Sequence, residues 1–142
     1  MSETFVLHTT VRFADVDSAG IHFYPRYFER VNQTVEEWFE QALGCSFNRL
    51  HHELKTSVPT VHFNVDFLSP SRLEERLTYS LRVERIGGAS AGLRIRICCG
   101  EDMRVDVRQT LVMMDMANSR PRPWPEEIRE RMRVYLVEGG EG

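Results

Sequence analysis

Residues 12–28 hold the side chains whose types and spacing could do chemistry. Asp15 and Asp17 end a predicted strand, Gly20 follows them, and Pro25 opens a predicted helix. The unpaired N–H groups and the dipole at a helix start favour negative charge, so they can hold a carboxylate or the oxyanion of a substrate carbonyl. A carboxylate beside such donors is a minimal site for acyl transfer. The residues alone leave a second interpretation open, in which Asp15 or Asp17 only caps the turn and the helix.

Two other motifs indicate structure rather than chemistry. Gly88, Ser90 and Gly92 match the G-x-S-x-G motif of a serine-hydrolase nucleophile elbow, but a strand pattern follows them and all five histidines precede Ser90. The adjacent His51 and His52 would point about 100° apart on a helix, which fits no zinc pattern. The sequence also contains no phosphate-binding loop and no dinucleotide motif. We therefore expect no metal and no cofactor.

The elements that would position residues 12–28 follow from the hydrophobic period, which is two in strands and three to four in helices. The predicted elements are a strand over residues 5–16, a helix over 25–43 capped by Gly44, a polar segment with a short helical turn over 45–57, four strands between 58 and 113, a second helix around 128–136 and a frayed tail over 138–142. Short glycine turns at residues 87–89 and 100–102 make the later strands antiparallel. One helix covers only part of such a sheet, so we expect its open edge to meet another copy.

Composition bounds the class of protein. The chain has 142 residues, of which 42 % are hydrophobic and 27 % charged, as is typical of one globular domain. A net charge of -3 argues against a nucleic-acid binder, and no apolar run approaches the roughly 18 residues of a membrane span. No secretory signal pattern is present and three cysteines cannot pair completely, so we expect a cytoplasmic protein. Lys55 is the only lysine among 18 basic residues, which we attribute to codon bias, although arginine also suits phosphate.

The pattern D-x-D-x-x-G-x-x-F-Y-x-x-Y-F over residues 15–28 resembles the signature of hotdog-fold acyl-CoA thioesterases of the 4-hydroxybenzoyl-CoA thioesterase type. Weaker likenesses lie around residues 58–70 and 120–123, so that the resemblance spans roughly residues 5–130. It implies an α+β hotdog fold, in which a five-stranded antiparallel sheet wraps a long central helix. Residues 1–142 would form a single thioesterase domain.

The resemblance also implies roles for individual residues. Asp17 matches the catalytic carboxylate, which acts as a nucleophile or as a general base on water, whereas Asp15 matches an acidic position that is not catalytic. The backbone N–H of Tyr24 would polarise the thioester carbonyl. Tyrosine at this position favours the branch that acts on aryl-CoA esters, such as benzoyl- or hydroxybenzoyl-CoA. The residues expected to contact the acyl part of the substrate are Gly20, His22, Asn32, Thr60 and His62.

Contacts to CoA are expected at the glycine turn, from Arg85, Gly88 and Ser90. The basic cluster that the family can carry there is reduced in this sequence to Arg85. Phosphate contacts would then fall to backbone N–H groups of the turn, or to other arginines such as Arg120 and Arg122.

The resemblance further implies a homodimer, with sheets joined edge to edge and active sites at the interface, or a tetramer of two such dimers. Acyl-CoA is the expected partner, with no nucleic acid and no membrane. Two alternatives keep the fold: a thioesterase acting on acyl carrier protein, and a non-catalytic acyl-CoA-binding subunit. A hotdog dehydratase is disfavoured because the helix over residues 25–43 contains no histidine.

Overall fold

The longest helix buries one side along its whole length. In the computed structural model, which describes residues 2–137, this helix spans Tyr24–Gln41 and Pro25 lies in its first turn. Its buried side chains recur every three or four residues, as the sequence predicted: Tyr27, Val31, Thr34, Val35, Trp38 and Phe39. Gly44 ends the segment with a φ of +68°, a left-handed conformation that glycine adopts without strain.

Five strands form one antiparallel sheet in the order β1-β4-β5-β6-β3. In chain order the elements are β1 (Phe5–Thr10), α1 (Tyr24–Gln41), α2 (Phe47–His52), β2 (Thr56–Ser57), β3 (Thr60–Phe67), β4 (Arg76–Ile86), β5 (Ser90–Cys99), β6 (Asp102–Val112), β7 (Met114–Asp115) and α3 (Glu126–Arg133). Strands β2 and β7 pair separately, and the predicted glycine turns connect β4 to β5 and β5 to β6. The predicted fold class, an α+β hotdog with a five-stranded antiparallel sheet, is confirmed.

Three predicted boundaries are wrong. Strand β1 ends at Thr10 rather than residue 16, because the chain turns into a short 3-10 helix at Phe13–Asp15 whose start is fixed by the Asp15 carboxylate. The last long strand stops at Val112, after which β7 leaves the main sheet to pair with β2. Helix α3 ends at Arg133, and Leu136 instead pairs with Val83 on β4. The predicted frayed tail, residues 138–142, lies outside the described residues.

Strand β3 is an edge strand whose apolar side chains are poorly covered. Val61, Phe63 and Phe67 are 54 %, 37 % and 51 % exposed, whereas the matching inward-facing residues of the central strands are buried. Among the described residues their strand neighbour is β6 alone, because β3 closes one end of the sheet order. An exposed, apolar edge of this kind is a ready surface for pairing with another strand.

Candidate active site

A tight loop holds Asp17 just before the start of α1. The Asp17 N–H donates to the Ile21 carbonyl at 3.0 Å, and the Gly20 N–H donates to the Asp17 carbonyl at 3.0 Å. Val16 and His22 pair across the loop in antiparallel fashion. Gly20 has a φ of +78°, so the loop closes through a left-handed residue, which explains why glycine occupies this position.

The Asp17 side chain is exposed and oriented by backbone donors. Its Oδ1 accepts the N–H of Ala19 at 2.8 Å and the N–H of Ile21 at 3.4 Å. Within residues 2–137, Oδ2 has no hydrogen-bond partner, so one carboxylate oxygen is held while the other faces solvent. This geometry suits either a nucleophile or a base, because a hydrogen-bonded loop presents a free carboxylate oxygen.

Asp15, in contrast, is 5 % exposed and hydrogen-bonds to backbone groups of neighbouring segments. Its Oδ2 accepts the Arg12 N–H at 2.9 Å, its Oδ1 lies 3.9 Å from the Arg30 guanidinium, and its carbonyl accepts the Phe23 N–H at 2.7 Å. These contacts tie the chain before the Asp17 loop to the residue that precedes α1. They favour a structural role for Asp15.

Tyr24 is the first residue of α1, so its N–H has no acceptor inside the helix. Pro25 has no N–H, and the N–H of Arg26 donates to the Phe23 carbonyl at 3.0 Å. The Tyr24 N–H is therefore the donor that the helix start offers to a ligand. The Tyr24 ring is half-exposed and meets the rings of Phe23 and Phe67 edge-on, with centroids 5.7 and 6.1 Å away.

A cavity of about 300 Å³ opens beside the helix start, a volume at the lower end of the range for small-ligand sites. Its lining residues are Ile21, His22, Tyr24, Tyr27, Phe67, Leu68, Ser69 and Pro70. Asp17 adjoins the cavity through its two hydrogen bonds with Ile21. Aromatic rings form much of the wall, and the half-exposed Phe67 leaves the cavity open towards the β3 edge.

His22 contributes a flat, uncharged part of this wall. It is buried and stacks on Tyr27, with ring centroids 3.9 Å apart and planes within 10°. Burial lowers the pKa of His22 below its ordinary value of 6.5, so the ring is neutral at pH 7. Its Nδ1 lies 3.1 Å from the Phe23 carbonyl, and its backbone N–H donates to the Ser71 carbonyl at 2.7 Å.

Arg104 supports the opposite wall of the cavity, a role that sequence reasoning missed. Its guanidinium, in a residue only 8 % exposed, donates to both Glu75 oxygens at 2.8 and 3.0 Å and to the Pro70 carbonyl at 2.9 Å. It also donates to Ser71 Oγ at 3.2 Å and to Asp102 at 2.7 Å. Hydrogen bonds from Arg104 hold the pKa of Glu75 at about 2, well below its ordinary value.

Ser71 links this arginine to the helix start. Its Oγ accepts the Tyr27 hydroxyl at 2.9 Å, and its carbonyl accepts the His22 N–H. The Arg104 carbonyl accepts the N–H of Leu68 at 2.8 Å, so the same residue fixes the cavity wall through its backbone and its side chain. No sequence signal distinguishes Arg104 from other arginines in the alternating strands, because its partners at the cavity wall, Pro70, Ser71 and Glu75, lie about 30 residues away.

Asn32, Thr60 and His62 do not join the cavity of their own chain. Asn32 and His62 are exposed, on α1 and on the outward side of β3 respectively. Thr60 Oγ1 accepts the Gln109 side-chain amide at 2.8 Å. Thr60 begins β3 and Phe67 ends it, so at about 3.3 Å per residue the two lie about 23 Å apart.

The predicted CoA contacts meet one another, but at the other end of the sheet. Arg85 Nη1 donates to Ser90 Oγ at 3.5 Å, and Gly88 is exposed in the turn between them. Arg129 holds this turn by donating to the carbonyls of Gly87 and Gly88, each at 3.0 Å. The turn follows Ile86 at the far end of β4, whose first residue pairs with Thr10 near the Asp17 loop, about 33 Å away at 3.3 Å per residue.

Within residues 2–137, no group of His, Cys, Asp or Glu side chains is arranged to hold a metal ion. Over the same residues, no helix combines the length and apolar character required to cross a membrane.

Comparison with known proteins identifies the class. A family model described as the thioesterase superfamily matches residues 35–105, half of the chain. A 1,4-dihydroxy-2-naphthoyl-CoA hydrolase of Nostoc punctiforme is 26 % identical over 125 residues, which cover 88 % of this chain and 84 % of that protein. The structure of the 1,4-dihydroxy-2-naphthoyl-CoA thioesterase from Synechocystis superposes with a TM-score of 0.84 at 19 % identity, covering 92 % of this chain and 96 % of that one. A Staphylococcus aureus protein in complex with CoA superposes with a TM-score of 0.88 at 15 % identity, covering 95 % and 85 %.

Fold and comparisons together define a hotdog-fold thioesterase. The chain belongs to the thioesterase superfamily, and the prediction that it is an enzyme, a thioester hydrolase, is confirmed. The region that the family model matches begins after Tyr24, so the roles of Asp17 and Tyr24 depend on the geometry of the helix start.

Proposed function

We propose that this chain, as a single domain, hydrolyses acyl-CoA thioesters whose aromatic acyl group binds in the cavity at the start of α1. The observation that carries this proposal is the juxtaposition of one free helix-start donor, one presented carboxylate and an aromatic wall. The stacked pair of His22 and Tyr27, with Phe67 opposite, offers flat apolar surface to a planar ring. The naphthoyl-CoA hydrolases named above support an aromatic substrate, and the CoA complex supports a CoA ester.

The mechanism follows from two atoms. The thioester carbonyl accepts the Tyr24 N–H, which stabilises the oxyanion as the carbonyl carbon becomes tetrahedral, an effect worth about 10²–10³ in rate for one donor. Asp17 then acts in one of two ways. As a nucleophile it forms a mixed anhydride, expels the CoA thiolate and is regenerated by water; as a general base it takes a proton from the attacking water. Both routes consume one water and release a carboxylic acid and CoA.

The working unit in this proposal is a homodimer, alone or within a tetramer. An isolated cavity has a carboxylate and a donor, but its predicted partners Thr60 and His62 lie at the other end of β3. Antiparallel pairing of β3 with the β3 of a second copy reverses the strand direction, so the Thr60 end of one copy meets the Phe67 end of the other. The glycine turn lies at the Thr60 end of β3. This follows because Ser90 pairs with Val112, and the Val112 N–H donates to the Pro59 carbonyl at 3.1 Å. Each cavity would thus receive its CoA contacts from the neighbouring copy.

The test is a hydrolysis panel with a matched pair of variants. Benzoyl-, hydroxybenzoyl-, dihydroxynaphthoyl-, phenylacetyl- and straight-chain acyl-CoA esters are compared by kcat/KM, and we expect the aryl esters to lead. Asp17→Asn should lower kcat at least about 100-fold, since it keeps the shape and removes the base or nucleophile. Asp115→Asn is the control, because Asp115 Oδ1 accepts the Ala117 N–H at 2.8 Å in the same way that Asp17 Oδ1 accepts that of Ala19.

Near-normal turnover by Asp17→Asn would contradict the assigned mechanism. Hydrolysis of acyl-carrier-protein esters without hydrolysis of CoA esters would instead favour the carrier-protein alternative. Binding of acyl-CoA with no turnover in either the parent chain or the variant would favour a binding subunit.

A further inference from the structure

One cavity of the described residues lies on the sheet face that points away from α1. It is a groove of about 430 Å³, which we call the arginine groove. Six of its lining residues lie on β4 and β5, namely Ser80, Arg82, Glu84, Arg94, Arg96 and Cys98. The even-numbered residues of β4 and β5 in this set alternate with buried apolar residues such as Leu81 and Ile95, so the groove belongs to the outer face. None of these residues takes part in the proposed hydrolysis.

The groove concentrates positive charge in an arrangement that costs stability in a free sheet. Arg82 lies directly opposite Arg94, and Arg94 lies directly opposite Arg108, so three like charges stand in one row across β4, β5 and β6. Like charges in direct cross-strand register are destabilising. Arg96 adds a fourth charge on the same face and has no ion-pair partner within residues 2–137.

The acidic neighbours offset only part of this charge. Arg94 forms a bidentate ion pair with Asp106 at 2.7 and 3.0 Å, and Arg108 donates to Glu84 at 3.2 Å. Arg82 uses Nε to donate to the Thr4 hydroxyl at 2.7 Å. Within residues 2–137, both terminal nitrogens of Arg82, Nη1 of Arg94 and the whole guanidinium of Arg96 have no hydrogen-bond partner, so they are available to a ligand in the groove.

We propose that the arginine groove is a binding site for an anion that carries phosphate groups. Each phosphate presents three or more acceptor oxygens, and guanidinium groups match that geometry with paired N–H donors. The Ser80 hydroxyl supplies a further donor at the floor, opposite Arg96 in the register. The volume exceeds that of a single phosphate, so a diphosphate or a phosphorylated nucleotide fits the chemistry equally well, and both are tested.

Binding is measured by titration calorimetry on the full chain, with inorganic pyrophosphate and with adenosine 3′,5′-bisphosphate as separate probes. We expect saturable binding of at least one probe. Arg96→Gln should raise the Kd of that probe about tenfold, the usual size of one lost hydrogen bond to a charged group, and the double variant with Arg82→Gln and Arg96→Gln should raise it further.

Arg76→Gln is the matched control, because Arg76 is exposed on the same face of β4 as Arg82 but lies outside the groove. It should leave Kd unchanged. Stronger binding of the bisphosphate than of pyrophosphate would identify a nucleotide as the source of the phosphate.

Two further measurements locate the bound anion. The double variant should retain the KM of the parent chain for acyl-CoA within about twofold, since the groove lies on the opposite face from the candidate active site. The bound probe should slow alkylation of the Cys98 thiol, which lines the groove, but not that of Cys99, whose thiol faces Glu75 at 3.8 Å. Mass spectrometry resolves the two positions.

Absence of saturable binding of either probe, or an unchanged Kd in the double variant, would overturn the proposal. A change of oligomeric state in the double variant with unaltered probe binding would assign these arginines to a contact between copies and would also overturn it.

Discussion

The loops at the two ends of the sheet differ in the hydrogen-bonding groups that they leave free for a ligand. At the helix start, Asp17 Oδ2 and the Tyr24 N–H lie beside a cavity, and the contacts of Asp15 fix the loop between them. At the glycine turn, the carbonyls of Gly87 and Gly88 are occupied by Arg129 and by the Trp124 N–H, while Gly88 itself is exposed.

This difference separates two tasks. The helix-start end presents a carboxylate oxygen and a free backbone N–H within one chain, so the proposed chemistry of acyl transfer would be assembled locally. Among the described residues, the turn end presents Arg85, the Ser90 hydroxyl and the exposed backbone of Gly88, which suit a ligand whose reacting group is held at the other end. The comparison therefore predicts that damage at the first end impairs turnover or the binding of the acyl group, whereas damage at the second end weakens only the binding of the CoA phosphates.

The largest effect is expected at Arg104, which holds the wall behind the helix start. Arg104→Met removes the guanidinium donors to Glu75, Ser71 and the Pro70 carbonyl, at a cost of about 2–4 kcal/mol in the free energy of unfolding, between the values for exposed and buried pairs. We also expect KM for aryl-CoA esters to rise severalfold, because Ser71 no longer fixes His22 and Tyr27. Denaturant unfolding and steady-state kinetics measure the two effects.

Arg94→Met is the control for this variant. Arg94 also forms a bidentate ion pair, with Asp106, but on the face of the sheet that points away from the cavity. It should lower stability without altering KM. Equal changes of KM in the two variants would refute a positioning role for Arg104.

The ion pair of Arg104 and Glu75 predicts a pH dependence of stability. Glu75 has a pKa of about 2 in the folded chain, below its ordinary value of 4.5. Because the folded-state pKa is the lower one, the pair stabilises the fold fully above about pH 4.5, and this contribution is lost as the pH falls towards 2. The difference in free energy of unfolding between the parent chain and Arg104→Met should therefore shrink across that window. A difference that stays constant from about pH 5 to pH 2 would contradict the ion pair.

How much the sequence reveals also differs between the two ends. The Asp17 loop is local, since its donors and acceptors lie within four residues, and the spacing of Asp17, Gly20 and Pro25 therefore predicted the turn and the helix start. Arg104 was missed because its partners Pro70, Ser71 and Glu75 come from the β3–β4 connection, and an arginine in an alternating strand resembles any solvated one. The early end of β1 was missed for a similar reason: residues 11–16 have strand-like side chains, but Asp15 caps a turn there.

A smaller effect is expected at Gly20, where the backbone is left-handed and no other group lies within 4 Å of the position that a Cβ atom would occupy. Gly20→Val should cost about 1–2 kcal/mol through strain alone, because a β-branched residue resists this conformation. It should also lower kcat, since relief of the strain moves the Asp17 carboxylate.

Gly100 provides a close control for that substitution. It has a φ of +59°, equally open surroundings and a place in the β5–β6 turn. Gly100→Val should cost similar stability and leave kcat unchanged, which unfolding and kinetic measurements on both variants can check. A similar loss of turnover in both would mean that general destabilisation, and not the position of Asp17, lowers the rate.

The smallest effect is expected at the turn end, from Arg85→Gln. Arg85 is exposed and, among the residues that the structure describes, has one weak partner, Ser90 Oγ at 3.5 Å, so its removal should not alter stability measurably. If the turn of one copy binds the CoA phosphates of the other, KM for aryl-CoA should rise severalfold at unchanged kcat, and the effect should weaken with added salt.

The matched substrate is the same aryl group on N-acetylcysteamine, a thioester without phosphates, whose KM should not change. Arg76→Gln, at the other end of β4, should change neither value. A rise in KM for both substrates would place the effect of Arg85 on the acyl group, and the division of tasks between the two ends would then be wrong.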